Sequence, residues 1–190
     1  MGSFECPNCR GAAFHFDCAV ATLRSRGAVR EMLHRLKYGR EMWLAKSLSC
    51  LLAEGIQDER ITSSWPDAIV PVPLHPKRLR EREFNQAEIL AEGLSQATGL
   101  PVCRALARRR YTITQTSLDR QARRQNLRDA FVLSKNADVT DLDLLLVDDV
   151  LTTGATVDAC AAALVAGGAS RVRALTVARG LSFFSFMAIF

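Results

Sequence analysis

Leu144-Leu145-Leu146-Val147-Asp148-Asp149-Val150-Leu151-Thr152-Thr153-Gly154-Ala155-Thr156 is the stretch on which the fold turns. Four apolar residues run into two carboxylates, then a Thr/Gly turn, then a helical apolar pattern from Ala155 to Ala166. A continuous apolar run marks a strand buried on both faces, so strand, loop and helix make half of a βαβ unit. In an open parallel sheet, ligands bind beyond the carboxyl ends of the strands, which places the chemistry at 148–156. Gly154 permits a tight turn there. The amides that open the helix, with the hydroxyls of Thr152, Thr153 and Thr156, make a cradle for one phosphate. Asp148 and Asp149, expected at a solvent-facing strand end, would repel that phosphate unless they hold something else. A sugar diol or a bound Mg²⁺ is the natural occupant, and the combination points to a phosphorylated sugar.

This segment resembles the phosphoribosyl pyrophosphate (PRPP) loop of type I phosphoribosyltransferases. The resemblance implies that Asp148 and Asp149 hold the ribose hydroxyls, directly or through Mg²⁺, which makes them the candidate catalytic acids. Thr152, Thr153, Gly154, Ala155 and Thr156 then wrap the ribose 5-phosphate. The competing reading is a receiver-type strand end that accepts a phosphoryl group. A receiver carries its acids near the beginning, whereas only 41 residues follow Asp149 here.

The 190 residues, 48% of them apolar, suit one domain with a full core plus a small appendage. Net charge is +5, and eight arginines against one acid, Asp119, lie between Arg104 and Arg128. That stretch must face anions or solvent. No signal peptide is visible and no apolar run approaches the roughly 20 residues of a membrane span, so a cytoplasmic location is expected.

Six cysteines in such a chain read as metal ligands or core residues rather than disulfides. Cys50, Cys103 and Cys160 lie in apolar segments and are assigned to the core. Cys6-Pro7-Asn8-Cys9 is a zinc-knuckle turn, because two intervening residues let both sulfurs converge on one tetrahedral ion. One CxxC is half a site. His15 and Cys18 are the candidates to complete it, although Cys18 equally opens a strand, Asp17 to Leu23.

Val29, Met32, Leu33 and Leu36 recur at helical spacing, with Tyr38-Gly39 as the stop. A second helix is expected from Met42 to Ala53, anchored by Trp43, while His34 takes no catalytic role. Asp67 to Leu74 reads as a buried strand stopped by Pro71 and Pro73. The following loop brings Lys77, Arg78 and Arg82 to a second strand end, where cations suit a pyrophosphate if this strand neighbours 144–147. Phe84-Asn85-Gln86 opens a helix with Ala87, Leu90, Ala91 and Leu94 inward. A strand from Val102 to Leu106 precedes the basic stretch, which reads as a functional loop. Ala130 to Leu133 and Val172 to Ala178 are further strands.

Pro71-Val72-Pro73-Leu74, Phe84-Asn85-Gln86-Ala87, Thr112, Gln115, Leu118, Arg123, Asn126, Ala130-Phe131 and the 144–156 loop together resemble the ComF family of competence-associated, phosphoribosyltransferase-like proteins. The resemblance spans about residues 27–180. It implies an α/β type I phosphoribosyltransferase fold with a mainly parallel sheet flanked by helices, and Thr112, Gln115 and Arg123 on its flexible loop. It implies Mg²⁺ taken up with PRPP, whereas zinc is expected to be absent or weakly held through Cys6 and Cys9, where one CxxC stands instead of the usual two and only two of four ligands are secure. A role in competence and DNA uptake follows, with single-stranded DNA and a competence helicase as partners. The expected organisation is a zinc-ribbon remnant at 1–20, a phosphoribosyltransferase-like domain at 21–180 and an apolar tail at 181–190. Purine-salvage members of the superfamily carry a proton-moving acid where Thr152 stands, and threonine cannot do that work. Two functions stay open: transfer from PRPP to an acceptor, or a non-catalytic module that senses nucleotides or handles single-stranded DNA.

Overall fold

A computed structural model of the chain describes residues 13–110, 127 and 129–180. Four strands, β1 (Cys18–Arg24), β2 (Ala68–Pro71), β5 (Asp143–Leu151) and β6 (Arg171–Arg179), form one parallel sheet in the order β1-β6-β5-β2. β5 is therefore central, with Leu144 to Val147 in register with Ala68 to Pro71 on one side and Val172 to Leu175 on the other. Being paired on both edges and covered on both faces is what its unbroken apolar run requires.

Alternation along the strands divides the core in two. Leu145 and Val147 of β5, with Leu175 and Val177 of β6, meet α1 (Gly27–Gly39), α2 (Leu44–Gly55), α3 (Glu59–Thr62) and α5 (Gln86–Thr98) through Leu33, Leu36, Leu48, Leu52, Ile61, Leu90 and Leu94. Leu144, Leu146, Val172 and Ala174 face the other way, against Val157, Cys160, Ala161 and Leu164 of α6 (Ala155–Ala166). The same layer takes in Leu106 and Phe131 from an antiparallel pair, β3 (Leu106–Arg108) and β4 (Phe131–Leu133). Each leucine withdrawn from water this way contributes about 2 kcal/mol.

At the amino end of β5, Arg173 is buried to 1% exposure. Its guanidinium donates to the Asp143 carboxylate at 2.6 Å, to the Ser64 carbonyl at 2.8 Å and to the Ile61 carbonyl. Asp143 also accepts from the Ser64 hydroxyl at 2.8 Å. Strand, neighbouring strand and the α3 turn are tied together there.

Several local expectations are corrected. Trp43 precedes α2 and is 65% exposed, with the Arg35 guanidinium 5.7 Å from its ring centre, so it anchors no core. Cys50 is exposed and Cys103 half-buried; of the three assigned to the core, Cys160 is buried. The strand expected over 102–106 splits: Val102 makes a single parallel bridge to Ile69, and β3 begins at Leu106. The cationic loop after β2 is a helix, α4 (Pro76–Arg82), because Pro76 suits the first helical position and the His75 ring accepts from the Lys77 N–H at 3.1 Å. Arg40, left-handed at φ 54°, ends α1 one residue beyond Gly39. Cys18 opens β1, and the Asp17 N–H already bonds the Val172 carbonyl at 2.9 Å. Among the described residues no helix is long and apolar enough to cross a membrane.

Candidate functional site

The carboxyl ends of β5 and β2 lie side by side, as parallel pairing from Ala68↔Leu144 to Pro71↔Val147 demands. Strand β5 does not stop before its acids. It stays paired with β6 through Leu151↔Arg179, so Asp148 stands opposite Thr176 within the sheet. The solvent-facing position expected for the acids is thus corrected: Asp149 is 3% exposed and Asp148 half-buried.

The two carboxyls are held differently. Asp149 forms an ion pair with the ammonium of Lys37, whose side chain is 21% exposed. Asp148 accepts from the Asp149 N–H at 2.8 Å. Burial, then the adjacent Asp149 charge, push the Asp148 carboxyl up to about 8, with Lys37 opposing. Two like charges side by side resist joint ionisation, so the pair keeps one proton between them near neutrality. One proton and one ammonium already balance the pair.

Downstream, Gly154 takes φ 80° and stands as the N-cap of α6, the conformation glycine supplies without strain. The Thr153 hydroxyl accepts from the Ala155 N–H at 3.4 Å, Thr152 is exposed and Thr156 half-buried. The Thr153 hydroxyl thus sits at the first amide of a 12-residue helix, and a helix N-terminus favours an anion. One side of the turn is walled. The stacked rings of Phe14 and Phe16, 4.8 Å apart, lie where a Cβ added at Gly154 would touch them, and His15 holds Asp158 through its N–H at 2.8 Å and its Nδ1 at 3.1 Å.

On the β2 side, Asn85 sets the approach. Its side-chain amide donates to the Val72 carbonyl at 3.1 Å and its oxygen accepts from the Ala87 N–H at 3.1 Å, which explains the Phe-Asn-Gln sequence as a cap tied to the strand end. Of the cations, Lys77 is exposed and Arg78 half-buried within electrostatic reach of Arg108. Half-buried Arg82 bonds the Gln86 amide oxygen at 2.5 Å and lies 5.5 Å over the Tyr38 ring. Burial pushes the Arg108 guanidinium below its ordinary range, with Cys160 and Asp148 opposing and Arg78 adding to the effect. Arg108 also lies 5.2 Å over the Phe131 ring.

The structure thus places Asp148, Asp149 and the 152–156 turn in succession at the end of β5, with Arg78 and Asp148 both within electrostatic reach of Arg108. Sequence reasoning passed over Lys37 and, individually, Arg108. Lys37 follows the buried Leu36 by one residue on the last turn of α1, and nothing in its local pattern separates it from a solvated lysine. His15 and Cys18 are occupied elsewhere: Cys18 donates its thiol to the Arg60 carbonyl at 3.6 Å. Cys6, Cys9, Thr112, Gln115, Arg123 and the 181–190 tail lie outside the described residues.

A divalent ion shared by Asp148 and Asp149 does not fit this arrangement. Mg²⁺ asks for near-octahedral oxygen ligation, whereas Lys37 already takes the Asp149 carboxylate. Among the described residues no three His, Cys, Asp or Glu side chains gather as a metal-binding group. The pair does fit a diol, which asks only for acceptors.

A family model described as "Phosphoribosyl transferase domain" matches residues 85–182, a range that holds α5, the β3–β4 pair, β5, the 152–156 turn, α6 and β6. That is the class which the parallel sheet and its strand-end turn define. Three relatives narrow it. "Competence protein F" of Haemophilus influenzae is 32% identical over 92% of this chain and 78% of that protein. "DNA utilization protein YhgH" of Escherichia coli K12 is 37% identical over 79% of this chain and 66% of that one, so the chain spans just under two thirds of the latter's length. "Competence protein ComFC" of Bacillus subtilis is 28% identical over 92% of this chain and 77% of its own. The chain belongs to the ComF family of competence and DNA-utilization proteins built on a phosphoribosyltransferase domain.

Proposed function

We propose that the chain binds PRPP at the carboxyl end of β5 and passes its phosphoribosyl group to an acceptor, in the service of DNA uptake or use. The observation that carries this reading is the turn at Gly154: a left-handed glycine opening α6 directly beyond the central strand, with threonine hydroxyls around it and a carboxyl pair immediately before it. The 5-phosphate occupies the 152–156 turn and the ribose diol bonds Asp149 and Asp148. The pyrophosphate, entering as its Mg²⁺ salt, faces α4, where Arg78 and Lys77 stand, with Arg82 at the outer edge. Stabilising the departing pyrophosphate is then the work of fixed cations, the usual means by which a protein lowers the barrier of such a transfer.

A second reading is favoured by one residue. Thr152 supplies no carboxylate to take a proton from an acceptor, so a site that binds PRPP without turning it over is the alternative on the same geometry. The names of the relatives support a link to DNA, and phosphate contacts by arginines in the 104–128 stretch are the form such contact would take. Calorimetric titration with PRPP, with and without Mg²⁺, tests the binding claim. The parent gives heat with Mg·PRPP, and Asp148→Asn with Asp149→Asn lowers the affinity at least about a hundredfold, the loss expected when two acceptors to a buried diol are weakened. An undiminished affinity in that double variant would show the acids to be structural.

A further inference from the structure

Lys37 is a half-buried cation that the function above does not use, and it pairs with the buried carboxylate of Asp149. It lies in the last turn of α1, where Leu33 and Leu36 seat the helix on the sheet and Arg40 stops it. A cation at a helix carboxyl end is favoured by the helix dipole, and here its ammonium turns in to Asp149, whose side chain is 5% exposed. A carboxylate buried that deeply is costly without a partner.

We propose that Lys37 is the resident counter-ion of the sugar site. Its ammonium takes the place at Asp149 that a divalent cation would otherwise fill, so the ribose hydroxyls meet the acids directly and Mg²⁺ enters only with the pyrophosphate. The proposal rests on the PRPP reading for its ligand and on the ion pair for its chemistry. An ammonium is a point charge with three donors on a flexible stem, so it can swing while keeping hold of Asp149 as a hydroxyl arrives. A second cation on the same carboxylate would have to be held against the charge of Lys37. Lys37 is thus a positioning residue: it offsets the charge of the Asp149 carboxylate and keeps it aimed.

The test reads Mg²⁺ dependence in two ways. In the absence of any sugar, the melting temperature of the parent chain does not respond to millimolar Mg²⁺. Lys37→Met melts lower and regains part of the loss when Mg²⁺ is added, since the metal now finds an uncompensated acid; Lys37→Arg, which keeps the charge, behaves as the parent. A Lys37→Met chain indifferent to Mg²⁺, or a parent that responds as strongly, overturns the proposal. The second arm needs no variant to fold. Ribose 5-phosphate has the diol and phosphate but no pyrophosphate, and it binds the parent equally within about twofold in EDTA and in Mg²⁺. A gain of about tenfold or more on adding Mg²⁺ contradicts direct diol contact, as does failure to bind in either buffer while PRPP binds. PRPP titration on the same preparations keeps the two claims apart: if PRPP does not bind, the proposed function falls, and the melting response still decides whether Lys37 is the counter-ion.

Discussion

Strand β5 carries an acid near each end, half-buried Asp143 and buried Asp149, and each is held in an ion pair with a basic side chain from a neighbouring element, Arg171 lying 3.8 Å from Asp143 as well. At the amino end Asp143 pairs with Arg173; at the carboxyl end Asp149 pairs with Lys37. The pairs are built for opposite purposes. Arg173 is a planar fork whose bonds are spent on a carboxylate and two main-chain carbonyls, so removing any member strands the others. Lys37 offers a single rotatable ammonium from a helix end and keeps a fifth of its side chain in solvent. The first is a lock between strands, the second a contact that can be rearranged. Ligands bind at the carboxyl ends of parallel sheets, and this chain places its exchangeable ion pair there and its fixed one at the other end.

Unequal damage is the first consequence. Asp143→Ala leaves a fully buried guanidinium unpaired and should cost about 3–5 kcal/mol in urea denaturation, with PRPP affinity of the folded protein unchanged. Lys37→Met should cost clearly less, because the pair it removes is a single contact from a half-buried lysine; equal losses would mean that both ends are locks.

A smaller effect is expected at the turn. The added Cβ of Gly154→Ala would meet the Phe14 and Phe16 rings at 3.7 and 3.8 Å, ordinary contact, so its cost is conformational. Forcing an L side chain to φ 80° costs about 1–2 kcal/mol, and PRPP binding should weaken as the amides shift. Denaturation and calorimetry on Gly154→Ala check this, and an alanine variant matching the parent in both would remove the glycine from the argument.

A separate effect is a pH slope. The folded Asp148 carboxyl keeps its proton up to about 8 while the unfolded one releases it near 3.8, so between these values the folded state binds more protons. Stability therefore falls as pH rises through that window and is flat on either side. Asp148→Asn should flatten the curve, as read by denaturation at several pH values. A variant retaining the parent's slope would assign it to another group.

The central strand, the Thr/Gly turn that opens α6 and the neighbouring β2 end were legible because each rests on local rules: an unbroken apolar run, a glycine turn before a helix, prolines that stop a strand. The extent of β5 was not, because Asp148 and Asp149 look like a strand's end, yet pairing with β6 carries the sheet on to Leu151. Partners distant in the chain were equally hidden. Lys37 lies more than a hundred residues from Asp149, and Arg173 was read only as part of a strand. Trp43 misled because a large aromatic beside an apolar helix is usually inside, whereas this one is an exposed platform for Arg35.

The most direct measurement is a PRPP titration of ¹⁵N-labelled protein followed amide by amide. Binding at the carboxyl end of β5 predicts the largest shifts at Asp148, Asp149 and Thr152 to Thr156, with the Asp143 end of the same strand nearly still. Shifts concentrated in the arginine-rich 104–128 stretch, with the 152–156 amides unmoved, would contradict it.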